Sequence, residues 1–173
     1  MFKKITLLFI FTIILSLSSL GEITDSSANH FSITIKTTIH SPVTKAYKSF
    51  IQIGNWWDSS HTYSGNSHNL YIEEKANGCF GEKLENGGSV THMTISYIQP
   101  ENTIRMIGGL GPLQEWAIYG SMTISFNKKD SNTEIILTYN VSGYHPKGVQ
   151  SWAVPVNAVL TMQMMRLKNY IEQ

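Results

Sequence analysis

Apolar and polar residues alternate from Phe31 to Ile39, with Phe31, Ile33 and Ile35 set against Ser32, Thr34 and Lys36, the period of a half-buried strand. The period then lengthens. Ser41-Pro42 reads as an N-cap followed by proline at the first helical position, opening a short helix from Pro42 to about Ile53. Val43, Ala46, Tyr47, Phe50 and Ile51 share one side of it, and Gly54-Asn55 ends it. Six further strands are expected at Leu70–Glu74, Cys79–Leu84, Ser89–Ile98, Thr103–Ile107, Trp116–Phe126 and Thr133–Ser142. The turn words between them include Asn77-Gly78 and Glu85-Asn86-Gly87-Gly88. In the last stretch, Ser151–Gln173, the apolar residues Ala153, Val156, Leu160, Met164, Leu167 and Ile171 recur at spacings of three and four. Trp152, Val159 and Tyr170 widen that stripe, which makes a long amphipathic helix. Ser151 is its expected N-cap, and Pro155 is tolerable only in its first turn. The order of strand, short helix, six strands and long helix predicts an α+β domain. A curved antiparallel sheet of about seven strands wraps the last helix, with a natural pocket between them.

The N-terminus has a different texture. Lys3 and Lys4 precede an apolar run from Ile5 to Leu20, and Ser19-Leu20-Gly21 puts small residues at the two cleavage-determining positions. This is the pattern of a secretory signal peptide, residues 1–21, and the run is short for a membrane-spanning helix. An uncleaved anchor is the alternative. Residues 22–30 are polar and serine-rich and read as a flexible leader, leaving 31–173 as one domain. Cleavage would remove Lys3 and Lys4, taking Lys plus Arg from 13 to 11 against 12 Asp plus Glu, a net charge of −1. A nearly neutral domain without a basic run has no electrostatic footprint for nucleic acid. It would keep no stable membrane span and would work in the periplasm or outside the cell. Cys79, the single cysteine, excludes an intrachain disulfide and reads as a small buried strand residue.

Candidate chemistry collects in three places. The loop Trp56-Trp57-Asp58-Ser59-Ser60-His61-Thr62-Tyr63-Ser64-Gly65 is rich in aromatics, so it is either a plug closing the sheet or the rim of a ligand pocket, with Trp57, His61 and Tyr63 at the mouth. Alternation in Cys79–Leu84 turns Phe80 and Glu82 inward, where a carboxylate must be paired or protonated. A three-residue turn after that strand would bring His92 to the same face as Glu82, and a two-residue turn would not. The glycine-rich turn favours the former. Arg105 is a second candidate partner for Glu82. Such a patch is either structural or an acid–base pair. Phe80, Trp116, Tyr139 and Met164 are expected to line the pocket, methionine suiting a wall that adapts to apolar ligands. His61, His68, His92 and His145 lack ligand-like spacing, so no metal is expected. Gly108-Gly109-Leu110-Gly111-Pro112 lacks the lysine and the helix of a phosphate cradle.

Taken with these local words, the element order resembles the helix-grip fold of the START-like superfamily, also called SRPBCC, which includes polyketide cyclases and lipid carriers. The words are Trp56-Trp57 with His61-Thr62-Tyr63-Ser64-Gly65, Gly78-Cys79-Phe80 with Glu82, Gly87-Gly88-Ser89-Val90 with His92, Leu110-Gly111-Pro112-Leu113-Gln114, Thr138-Tyr139 with Gly143-Tyr144, and Arg166-Leu167-Lys168. They are closest to an uncharacterised exported branch. The resemblance covers nearly all of residues 31–173 and implies an exported protein that holds an apolar or amphipathic small molecule without a cofactor. A cyclase- or hydratase-type enzyme using Glu82 and His92 is one alternative, and a protein-interaction module using the Trp56–Tyr63 loop is another. Oligomeric state is left open.

Overall fold

The computed structural model describes residues 20–173, so the expected signal segment lies outside the described residues except at its end. The described elements run β1 (Leu20–Ser27), β2 (His30–Ile39), α1 (Val43–Ile51), β3 (Leu70–Ile72), β4 (Cys79–Lys83), β5 (Ser89–Gln99), β6 (Thr103–Gly108), β7 (Tyr119–Lys129), β8 (Asn132–Ser142) and α2 (Ala153–Glu172). All strands join one antiparallel sheet in the order β1-β2-β8-β7-β6-β5-β4-β3. The chain enters at one edge, crosses to the other between β2 and β3, and meanders back until β8 lies against β2. That crossing segment carries α1 and the tryptophan loop past the sheet, which puts the loop where a pocket would open.

The sheet has eight strands where seven were expected, and the additional one is β1. The segment expected to be a flexible leader therefore holds most of a strand, with Glu22 opposite Thr34 and Ile23 opposite Ile33. An edge strand needs only one apolar face and hides well in a serine-rich stretch. Ile23 packs on the core, and Asn157 in α2 donates its Nδ2–H to the Gly21 carbonyl at 3.2 Å. A Cβ on Gly21 would overlap Thr161 Oγ1 and Asn157 Oδ1, so β1 and α2 lie in close contact there.

Helix α2 spans about 30 Å over its 20 residues and buries Ala153, Leu160, Met164, Leu167 and Ile171, with Gln163 also inside. Its first turn contains Pro155, whose missing N–H costs no helical hydrogen bond there. Ser151 is not its cap. The Ser151 hydroxyl donates to the Gly148 carbonyl at 2.7 Å, inside a 3-10 turn over Val149–Trp152 that leads into the helix. Inward residues of β2, β7 and β8, among them Ile33, Ile35, Ile124 and Leu137, complete the core under α2.

Two local features aim the site. The β4–β5 turn has three residues, Glu85-Asn86-Gly87, closed by Leu84 N–H to the Gly88 carbonyl at 2.8 Å. Asn86 and Gly87 both have positive φ, at 56° and 79°, the conformation that asparagine and glycine adopt most readily. The register so fixed sets Glu82 opposite Val90 and Gly81 opposite Thr91. A bulge follows, since Phe80 faces Met93 rather than His92. Consequently His92 and Met93, adjacent in sequence, are both buried. Gly108 on β6 lies against the bulge, where a Cβ would come within 2.5 Å of the His92 carbonyl.

Candidate functional site

The tryptophan loop is held at both ends by buried acceptors. Trp56 donates its indole N–H to the Ser49 carbonyl at 3.0 Å, and Trp57 donates to the His61 carbonyl at 3.0 Å. Asp58 N–H donates to Gln163 Oε1 at 2.9 Å, and Arg166 Nε donates to the Trp56 carbonyl at 2.9 Å, which ties the loop to α2. At the other end, Tyr63 N–H donates to Glu82 Oε2 at 3.1 Å and Ser64 N–H donates to Glu82 Oε1 at 2.5 Å. The loop thus bridges helix and sheet, and Glu82 is its anchor on the sheet.

Glu82 is fully buried and is also 3.0 Å, through Oε2, from His92 Nε2. Burial favours the neutral carboxyl, but the Ser64 hydroxyl, the Ser64 and Tyr63 N–H groups and His92 outweigh it, so the Glu82 pKa is held below 4.5. For His92 burial dominates, opposed by the Glu82 hydrogen bond and charge, and its pKa falls below 6.5. At neutral pH the pair is therefore a carboxylate and a neutral imidazole. The ionised carboxylate only accepts, which puts the ring proton on Nε2 and leaves Nδ1 as an acceptor. The His92 ring packs in tilted contacts against Phe80, at 4.8 Å, and Tyr63, at 5.9 Å between centroids.

Both downward shifts act on stability in one direction. Between pH 6.5 and the lower folded value, an unfolded His92 binds a proton that the folded ring refuses, so acidification favours unfolding. Glu82 acts likewise below pH 4.5. We expect Tm to hold above pH 7 and to fall in two stages below it, with the upper stage missing in His92→Phe; a Tm unchanged from pH 7 to 4 would contradict the pair.

Above this pair lies a cavity of about 460 Å³. Phe80 and His92 line it from the sheet, Trp57 to Tyr63 from the tryptophan loop, Leu110 to Leu113 and Glu115 from the β6–β7 connection, and Trp152, Val156, Val159 and Leu160 from α2 and the turn before it. Of the residues expected here, Trp57, His61, Tyr63, Phe80 and His92 meet at this cavity, with Glu82 directly behind His92.

Four expected residues lie elsewhere. Arg105 is exposed on the outer face, because alternation turns its neighbours Ile104 and Met106 inward. Its Nε donates to Thr123 Oγ1 at 3.1 Å and its guanidinium lies over Tyr97. Trp116 precedes β7 instead of opening it, in a turn where Ala117 has φ of 51°, and packs at 4.5 Å against the His145 ring. Tyr139 does point inward, but deep in the core, donating its hydroxyl to the Gly108 carbonyl at 3.0 Å. Met164 is buried below the cavity and borders only a void of about 20 Å³. The Leu110–Leu113 wall was missed. Its signal was an apolar pair, Leu110 and Leu113, inside a loop, where side chains need cover. Among the described residues no cluster of His, Cys, Asp and Glu could hold a metal ion, and no helix is long and apolar enough to cross a membrane.

No family model and no curated protein matches the chain in sequence. Solved structures do match in shape. Protein MLL2253 of Mesorhizobium loti superposes with a TM-score of 0.57 at 12% identity, over 80% of this chain and 94% of that one. A conserved protein of unknown function, EF2215 of Enterococcus faecalis, gives 0.57 at 10% identity, over 91% and 79%. CalU16 of Micromonospora echinospora gives 0.55 at 14% identity, over 89% and 83%. The likeness is one of fold. An antiparallel sheet curved around a C-terminal helix, in the manner of helix-grip proteins, is shared across these bacterial chains.

Proposed function

We propose that this chain is an exported START-like protein that holds one apolar or amphipathic small molecule between the sheet and α2. The observation that carries this reading is the cavity of about 460 Å³, a size suited to a small ligand, walled chiefly by Trp57, Phe80, Leu113, Val156 and Leu160. Export rests on residues 1–21 as a sequence pattern. Trp57 is buried and turned to the cavity, which favours a pocket rim over a protein-binding patch. The purified protein should bind an apolar fluorophore saturably. Val159→Trp, a change inside the cavity wall, should abolish that signal with the far-UV spectrum unchanged. Saturable binding that survives this substitution would place the ligand elsewhere and overturn the reading. Native mass spectrometry of protein taken from its own host compartment would weigh the resident ligand.

A second reading, a cyclase- or hydratase-type enzyme without a cofactor, is favoured by one feature, the Glu82–His92 pair in the cavity wall. In that case proton transfer would run through His92, since Glu82 is sealed behind it and spent on Tyr63, Ser64 and His92.

A further inference from the structure

The cavity contains one polar atom that is both deeply placed and unspent. His92 is 6% exposed, its Nε2 is engaged by Glu82, and its ring packs against Phe80 and Tyr63. Its Nδ1 makes no hydrogen bond to the protein and is not among the sealed polar atoms of the described residues, and His92 lines the cavity. The hydrogen bond to Glu82 makes Nδ1 an acceptor.

The other side-chain polar groups of the wall point the same way. The Ser60 hydroxyl donates to Asp58 and the Thr62 hydroxyl to the Ser59 carbonyl, leaving lone pairs free. The Trp57 indole N–H is spent on the His61 carbonyl, and the Trp152 indole N–H is sealed away. Among the described residues no lysine or arginine lines the cavity; Glu115 stands at its rim and the Glu82 carboxylate behind His92. Only Tyr63 and His61, both exposed, could donate from the mouth. The interior accepts hydrogen bonds, offers no counter-ion, and lies near two carboxylates.

We infer that the ligand is an uncharged, hydroxyl-headed apolar molecule, an alcohol or phenol whose O–H donates to His92 Nδ1, and that carboxylate amphiphiles are rejected. This rests on the pocket reading above and names its head-group chemistry. A carboxylate entering here would lose its hydration with no cation in the lining and side-chain donors only at the mouth, whereas a hydroxyl meets the His92 Nδ1 acceptor.

Isothermal titration calorimetry with three probes of equal tail decides it: para-octylphenol, para-octylanisole and para-octylbenzoate. The phenol should bind about tenfold more tightly than the ether, which lacks the donor, and the benzoate more weakly than either. In His92→Phe, which keeps the ring packing and removes the acceptor, phenol and ether should bind alike. A wild-type protein that binds ether and phenol equally, or prefers the benzoate, overturns the head-group assignment and leaves the pocket standing. If none of the three binds, the pocket reading fails and this inference with it.

Discussion

Leu167→Ala should cost about 2–5 kcal/mol of folding stability, as a truncation in the buried stripe of α2. Leu167 is wholly buried in the inner stripe of the helix, between Met164 and Ile171, which are buried as well. Removing its branched end opens a void beneath a helix that bridges β1 and β2 at one end of the sheet and the tryptophan loop above. The surroundings are strands fixed by their own ladders and cannot close in, so the loss should fall well above the transfer term alone. Urea unfolding followed by far-UV circular dichroism measures it. Met165→Ala, two residues away on a side chain 42% exposed, is the control and should stay within about 0.5 kcal/mol. A loss of a few tenths at Leu167 would mean that the sheet does not grip the helix.

Glu82→Gln should lower stability by roughly 1–3 kcal/mol and loosen the tryptophan loop. The carboxylate is held by the N–H and the hydroxyl of Ser64, the N–H of Tyr63 and His92 Nε2–H. An amide keeps one accepting oxygen and turns an NH₂ toward the remaining donors, leaving at least one buried donor unmet. Two readouts follow. Denaturation gives the stability loss, and amide hydrogen exchange at Tyr63 and Ser64 should speed up selectively. Were Glu82 needed for proton chemistry alone, the substitution would leave folding and exchange untouched while abolishing turnover of the bound compound. Its burial and its three partners make it a positioning residue, which keeps the loop closed and the imidazole proton on Nε2.

Much of this pair was legible in the residues. Alternation alone turned Phe80 and Glu82 inward, and Asn86-Gly87 signalled a turn with two positive-φ positions that puts His92 on the same side. The bulge at His92 was not legible, because it arises from the match between β4 and β5 and from the space that Gly108 leaves across the sheet. Arg105 was readable and misread: a cation between Ile104 and Met106 belongs on the outer face by the same alternation. Trp116 was misplaced by extending a strand backward through the turn at Ala117.

What the sequence by itself determined is therefore what short-range geometry controls. The period of two named the inner faces of the strands at Phe31–Ile39 and Cys79–Leu84, the spacing of three and four named the buried stripe of α2, and the glycine turn at Asn86-Gly87 set local register. The tertiary structure alone decided three further matters. It made a serine-rich segment into β1, since an edge strand is recruited by the backbone groups of β2, not by its own hydrophobicity. It brought Leu110–Leu113 over the pocket, because a loop lands where its flanking strands send it. And it sorted the inward residues by depth, with Phe80 and His92 facing the cavity while Tyr139 and Met164 face only core. Alternation tells inside from outside; how far inside depends on which helix turn or loop stands opposite, and that distance is a property of the packed whole.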